Sequence, residues 1–137
     1  MSENRVGFNT NCLGPITITE CVEIAEALNV KVIEVGPSVQ RDTQAFKDVQ
    51  HNSSVTISAL IYGRNFLTHD VERRRDYRDN LREVIDIAIA ADIKQITTST
   101  GVDESLTLAE NIDNALEFWE PIFTETAEHQ IRIALEF

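Results

Sequence analysis

The sequence predicts an α/β domain of parallel strands in the order βαβαβαβαβ. Short β-branched runs such as KVIEVG and VTISALI alternate with segments whose apolar residues recur at helical spacing. Strands separated by helices run parallel and are joined by right-handed crossovers. With 137 residues, 42% hydrophobic content and no Pro/Gly-rich stretch, residues 1–137 read as a single domain able to bury a core.

The first strand is expected over Arg5–Thr10 (RVGFNT), followed by a loop holding Asn11, Gly14 and Pro15. Residues 16–28 (ITITECVEIAEAL) follow as a helix that turns Cys21, Ile24, Ala25 and Leu28 inward. Thr17 and Glu20 have the S/T-x-x-E spacing of a capping box at its start. KVIEVG is a strand closed by Gly36 and Pro37, and Asp42–Gln50 forms a short helix with Ala45, Phe46 and Val49 inward. Residues 55–61 (VTISALI) give the third strand. After a loop with Gly63 and Asn65 comes the longest helical signal, carried by Tyr77, Leu81, Val84, Ile85, Ala88 and Ala91 and widened by Ile87 and Ile89. KQITTST is a fourth strand ended by Gly101. Residues 105–129 form a last helical stretch around Leu108, Ile112, Ala115, Leu116, Trp119, Ile122 and Phe123. Pro121 lies inside it, which predicts a kink or two consecutive helices with Pro121 in the first turn of the second. Residues 131–137 (IRIALEF) form strand five.

Two architectures share this order. One is a five-stranded doubly wound, flavodoxin-like sheet; the other is a partial (half) TIM barrel, whose full form takes about 250 residues. Side-chain parity helps to discriminate them, although an edge strand of the doubly wound sheet could tolerate a polar face. In strand five Ile131, Ile133, Leu135 and Phe137 share one face, and Arg132, Ala134 and Glu136 the other. Strand two repeats this, with Ile33 and Val35 opposed to Val32 and Glu34. A central strand of a doubly wound sheet is covered on both faces and should be apolar on both. Acids near the C-terminal ends of two strands instead favour a polar barrel mouth, the end where such sites form.

The net charge of −11, with 23 acids against 12 bases, repels a phosphate backbone and argues against nucleic acid as the main partner. The basic cluster ERRRDYRDNLRE reads as an ion-paired helix face, with Arg75–Asp79, Arg82–Asp86 and Arg73–Asp76 at one-turn spacing. No apolar run of about 18 residues and no signal-peptide pattern is present, so a cytoplasmic location and no membrane partner are expected. Cys12 and Cys21 form no CxxC pair, which leaves a disulfide framework or structural zinc unsupported. TTSTG reads as a strand-ending turn; as a phosphate cradle it would be opposed by Asp103 and Glu104 beside it.

GFNTN on strand one, LNVKVIEVG into strand two, VTISALIYGRNFLTHD, IDIAIAADIKQITTSTG and the closing FWEPIFTETAEHQIRIALEF together resemble the xylose isomerase-like barrel family. That family contains sugar-phosphate isomerases and epimerases and the apurinic-site endonucleases. The resemblance runs along the whole chain but corresponds to strands one to five of the barrel.

The resemblance implies one divalent metal (Mn, Mg, Zn or Co), held by a Glu at the end of strand five and by an Asp, a His and a second Glu on strands six to eight. Glu136 matches the strand-five ligand and is the candidate metal and catalytic residue; the other three positions have no counterpart here. Moving a proton between adjacent carbons of an aldose or ketose requires a carboxylate base and a polarised carbonyl. Glu34, Asn9, Asn11 and His69 are candidate substrate-binding residues at the same mouth, whereas His129 precedes strand five at the opposite end. The implied function is a sugar or sugar-phosphate isomerase or epimerase, incomplete as a single chain and expected to form a homodimer that pairs the open edges of strands one and five. The alternative is a non-catalytic α/β domain that binds a ligand or partner at the mouth. An endonuclease role fits poorly with an acidic chain holding three histidines in all.

Overall fold

The computed structural model describes residues 6–136; Arg5 and Phe137, expected in the first and last strands, lie outside them. The elements are β1 (Gly7–Asn9), α1 (Ile18–Ala27), β2 (Val32–Val35), α2 (Thr43–Asn52), β3 (Thr56–Ile61), α3 (Val71–Ala91), β4 (Gln95–Ser99), α4 (Leu108–Glu128) and β5 (Arg132–Glu136). A single 3-10 turn, Thr10–Cys12, replaces the end of the expected first strand.

The local signals behind each helix start are visible. Thr17 and Glu20 close a reciprocal capping box on α1, and Thr107 and Glu110 close one on α4. Asp42 caps α2 and Asp70 caps α3, each accepting from a backbone N–H three residues on. At the other ends Asn29, Asp92 and Gln130 take positive φ as the chain leaves α1, α3 and α4.

All five strands are parallel and lie in the sheet in chain order, β1-β2-β3-β4-β5. This overturns the doubly wound alternative, which reverses direction partway and so places helices on both faces. When every right-handed crossover steps the same way, every helix falls on the same side of the sheet. Ile33, Val35, Ile57, Leu60 and Ile96 are buried on that side, beneath the helices. The other face begins with Asn9 and Glu34, in register with each other, and ends with Ser99 and Glu136, also in register. The architecture is half of a TIM barrel, and its uncovered face corresponds to the barrel interior.

One irregularity adjusts that inner face. Ile33 pairs with Ile57 but Glu34 pairs with Ala59, so Ser58 bulges out of the ladder and donates its hydroxyl to the Ile33 carbonyl at 3.2 Å. The alternation of β3 is thereby reset, and Ala59 and Leu60 are both buried.

The core is a single cluster between the sheet and the helices. An aromatic group anchors its α4 end, where the Phe66 ring lies 5.7 Å from Phe118 and 5.5 Å from Trp119 between centroids.

Three expectations about helices need correction. Leu28 is 64% exposed rather than inward, because it caps α1 beyond the last helical turn while Ile18, Cys21, Val22 and Ala25 form the buried face. Pro121 neither breaks nor divides α4, which runs unbroken from Leu108 to Glu128. Pro121 is exposed, so its ring and the Glu117 carbonyl that loses an N–H partner can face water. The third correction concerns the apolar face of α4. Trp119 is buried, but Leu108, Ile112, Leu116 and Phe123 are 78%, 51%, 61% and 41% exposed. They form a stripe on the last helix of the described half-barrel, with no further helix among the described residues to cover it.

The basic segment of α3 is ion-paired, though partly with other partners than spacing suggests. Arg82 binds Asp86 at 2.9 Å and reaches across to Glu125 on α4. Arg73 pairs with the N-cap Asp70 instead of Asp76, and Arg75 lies 3.9 Å from Asp76 rather than joining Asp79.

Candidate functional site

The C-terminal ends of the five strands and the loops that follow them make the mouth of the half-barrel. The loops are tied by side chains that bond backbone. Thr98 donates to the Tyr62 carbonyl at 2.7 Å and Ser99 to the Arg64 carbonyl at 3.0 Å. Asn65 accepts from the Val102 N–H and donates to the Val102 carbonyl, both at 2.8 Å. Gly101 sits at φ +82, where an added Cβ would lie 2.5 Å from Asn65 Oδ1 and 2.6 Å from the Phe66 N. TTSTG ends β4 as a turn, with the Thr98 and Ser99 hydroxyls spent on neighbouring carbonyls.

Asn9 and Glu34 share a cleft of about 280 Å³ with Gly7, Phe8, Val32 and Ser58 on the uncovered face. Asn9 also has a structural task, since its Oδ1 accepts from the Asn11 N–H at 2.8 Å and caps the Thr10–Cys12 turn. Its amide N–H groups make no hydrogen bond among the described residues. The Asn11 side chain lies over Gly36, where its Oδ1 occupies the space a Cβ would need, 1.7 Å away. Beside it the buried Thr10 hydroxyl accepts from the Gly36 N–H at 2.8 Å. Asn11 thus packs on the β2 turn, and it does not line the Asn9–Glu34 cleft.

Glu136 is exposed at the end of β5, in register with Ser99, and its carboxylate has no partner among the described residues. Its parity is the one expected from alternation. Two strands, β3 and β4, separate it from Glu34, an arc of about 14 Å at the usual strand spacing. Glu136 and the Asn9–Glu34 cleft therefore stand on the same face without touching.

His69 goes elsewhere. It is largely exposed, and its Nδ1 lies 3.9 Å from the Asp103 carboxylate in the loop after β4. Asp103 is buried and accepts from the Ser105 hydroxyl at 2.6 Å and the Ser105 N–H at 2.9 Å. These two bonds, with a smaller contribution from His69, hold its carboxyl below the usual range. A depressed folded-state pKa stabilises the fold above the unfolded value, about 3.9, and that contribution is lost as pH falls through the folded value. Thermal melts of wild type and Ser105→Ala against pH are thus expected to differ most at pH 5–7 and to converge in acid; a difference that grows below pH 4 would contradict this.

Sequence reasoning missed Ser58 and the His69–Asp103 contact. Nothing in the alternation of TISALI marks the bulge, and no local pattern brings residue 69 to residue 103. In the sequence Asp103 stands out only as an acid beside TTSTG.

Among the described residues no group of three or more His, Cys, Asp or Glu side chains could hold a metal ion. Glu136 is a single donor, and the described chain does not by itself make a metal centre. Cys12 and Cys21 are both free thiols, one exposed and one buried. No described helix is long and apolar enough to cross a membrane.

A parallel half-barrel with a polar inner face and its acids at the mouth defines a class of fold, the βα barrels. Residues 22–137 match the model of the xylose isomerase-like TIM barrel family, and the chain belongs to that family. A xylose isomerase domain protein from Planctomyces limnophilus superposes with a TM-score of 0.69 at 15% identity, covering 97% of this chain and 54% of its own. The IolI protein, solved with a bound zinc atom, superposes at 0.71 with 16% identity, covering 98% and 51%. A probable 3-DHS dehydratase, AsbF of Bacillus anthracis, does so at 0.64 with 11% identity, covering 96% and 52%. These likenesses establish the fold, and the chain spans about half the length of each of these structures. No curated protein matches the sequence.

Proposed function

We propose that this chain is the strand-one-to-five half of a sugar or sugar-phosphate isomerase or epimerase, in which a carboxylate-assisted proton transfer takes place at the barrel mouth. The observation that carries this reading is Glu136, on the inner face at the C-terminal end of β5 in a chain of this family. An exposed, unpartnered carboxylate there is free to bind a cation or to exchange a proton with a C–H beside a carbonyl. A divalent metal (Mn, Mg, Zn or Co) would polarise that carbonyl when bound. Its remaining donors would have to come from whatever completes the barrel. The Asn9–Glu34–Ser58 cleft offers an amide, a carboxylate and a hydroxyl to sugar hydroxyls. Asn11 and His69 act from the surrounding loops, Asn11 by holding the β1 and β2 turns together and His69 at the rim.

The completing partner in this proposal is a second copy of the chain. Among the described residues β1 and β5 each present an unpaired edge, and α4 presents its apolar stripe beside β5. Such a homodimer hides backbone and apolar surface together.

Candidate aldoses and ketoses incubated with the assembled protein and Mn²⁺ in D₂O test the reaction. Solvent deuterium is expected at the carbon next to the carbonyl, read as loss of its proton signal by NMR. No incorporation with any sugar would contradict the isomerase reading. In a second reading the domain binds a polyol without chemistry at the Asn9–Glu34–Ser58 cleft. Binding of a sugar that Glu34→Gln weakens, with neither metal dependence nor exchange, would favour it.

A further inference from the structure

Between α3 and α4, on the helix side of the sheet, lies a cleft of about 330 Å³ lined by Leu67, Arg74, Arg78, Asn114, Glu117 and Phe118. Arg74 and Arg78 are one turn apart on α3. The Arg78 guanidinium stacks 4.2 Å from the Phe118 ring centroid and spends only its Nε–H on protein, donating to the Phe66 carbonyl at 3.3 Å. Arg74 spends only Nη1, donating to the Thr68 carbonyl at 3.3 Å.

The remaining guanidinium N–H groups of both residues make no hydrogen bond among the described residues. Neither do the Asn114 amide and the Glu117 carboxylate. Arg73, Arg75 and Arg82 on the same helix and Arg41 on the loop before α2 all have a carboxylate within 4.0 Å; Arg74 and Arg78 have none among the described residues. Arg74 and Arg78 thus stand one turn apart with guanidinium N–H groups left over, and Glu117 is the one acid among the residues that line the cleft. Burial and then the Arg74 charge lower the pKa of Arg78, and the Glu117 charge offsets part of that.

We propose that this cleft is an oxyanion site for phosphate or a phosphomonoester. Both guanidiniums donate to the phosphoryl oxygens, Asn114 offers a further amide, and the Phe118 ring fixes the Arg78 plane. The tetrahedral oxyanion relieves the repulsion between the two arginines. Glu117 opposes it at the rim and sets a limit on affinity. The cleft is lined by α3, α4 and the loop before α3, and Asn9, Glu34 and Glu136 are not among its lining residues.

Calorimetric titration of inorganic phosphate at constant ionic strength tests this on wild type, Arg74→Gln and Glu117→Gln, with folding checked by melting. One phosphate per chain is expected. Losing a charge-assisted donor should weaken binding by about tenfold or more in Arg74→Gln, and removing the opposing charge should tighten it in Glu117→Gln. A parallel arm with glycerol phosphate distinguishes the sources, since tighter binding than phosphate assigns an organic ester and equal binding assigns free phosphate. No binding to wild type, equal binding by Arg74→Gln, or weaker binding by Glu117→Gln would overturn the proposal.

Discussion

Glu136→Gln is expected to remove most of the stabilisation that Mn²⁺ or Zn²⁺ gives the assembled protein. Glutamine keeps the length and hydrogen-bonding shape of the side chain but loses its charge, and a divalent cation takes carboxylate oxygen in preference to amide oxygen. A ligand present at a hundred times its dissociation constant stabilises a fold by ~2.7 kcal/mol, a shift of several degrees for a domain of this size. That shift should appear in wild type and disappear in the variant. Since the Glu136 side chain is exposed and unpartnered among the described residues, the substitution has little of the fold to disturb, and melting without metal should barely change. An equal metal shift in both proteins, or none in either, would remove Glu136 from the proposed centre.

The second large effect concerns stability. Phe66 is fully buried, and its ring contacts Phe118 and Trp119 of α4, with Tyr62 more distant at 6.1 Å. Phe66→Ala is expected to cost about 3–5 kcal/mol, the range for deleting a buried aromatic where the surroundings cannot collapse. Collapse is hindered because the loop carrying Phe66 is held by Asn65 on Val102 and by Arg78 on the Phe66 carbonyl. Urea unfolding measures it. A loss below about 1 kcal/mol would mean that the aromatic group does not dock α4 onto the sheet as described.

The fold was legible because each element announces itself locally. The capping box at Thr17 and Glu20 and the alternation in KVIEVG need no tertiary information, and parity in β2 and β5 placed Glu34 and Glu136 on one face. What could not be read depends on contacts distant in sequence. Leu28 has the period of an inward residue, yet the helix ends one residue too soon to bury it. Leu116 has the period of a core residue too, but whether α4 buries it depends on what lies beyond β5. The candidate site was legible only in part for the same reason. Strand parity fixes which face a residue occupies, but it cannot say that Asn9 is engaged in capping a turn, that Asn11 packs on Gly36, or that His69 leans toward Asp103 rather than into the cleft. Arginine pairing failed similarly: spacing pairs Arg73 with Asp76, while the N-cap Asp70, turned back over the first turn of α3, is the acid it meets.

The homodimer proposed above would cover the open edges of β1 and β5 and the α4 stripe with a second copy of the chain. Sedimentation equilibrium at micromolar concentration measures this directly. A species of twice the chain mass is expected, and Leu116→Glu should dissociate it, because a charge would then face the partner in an apolar contact. A stable, cooperatively melting monomer at the same concentration would contradict it.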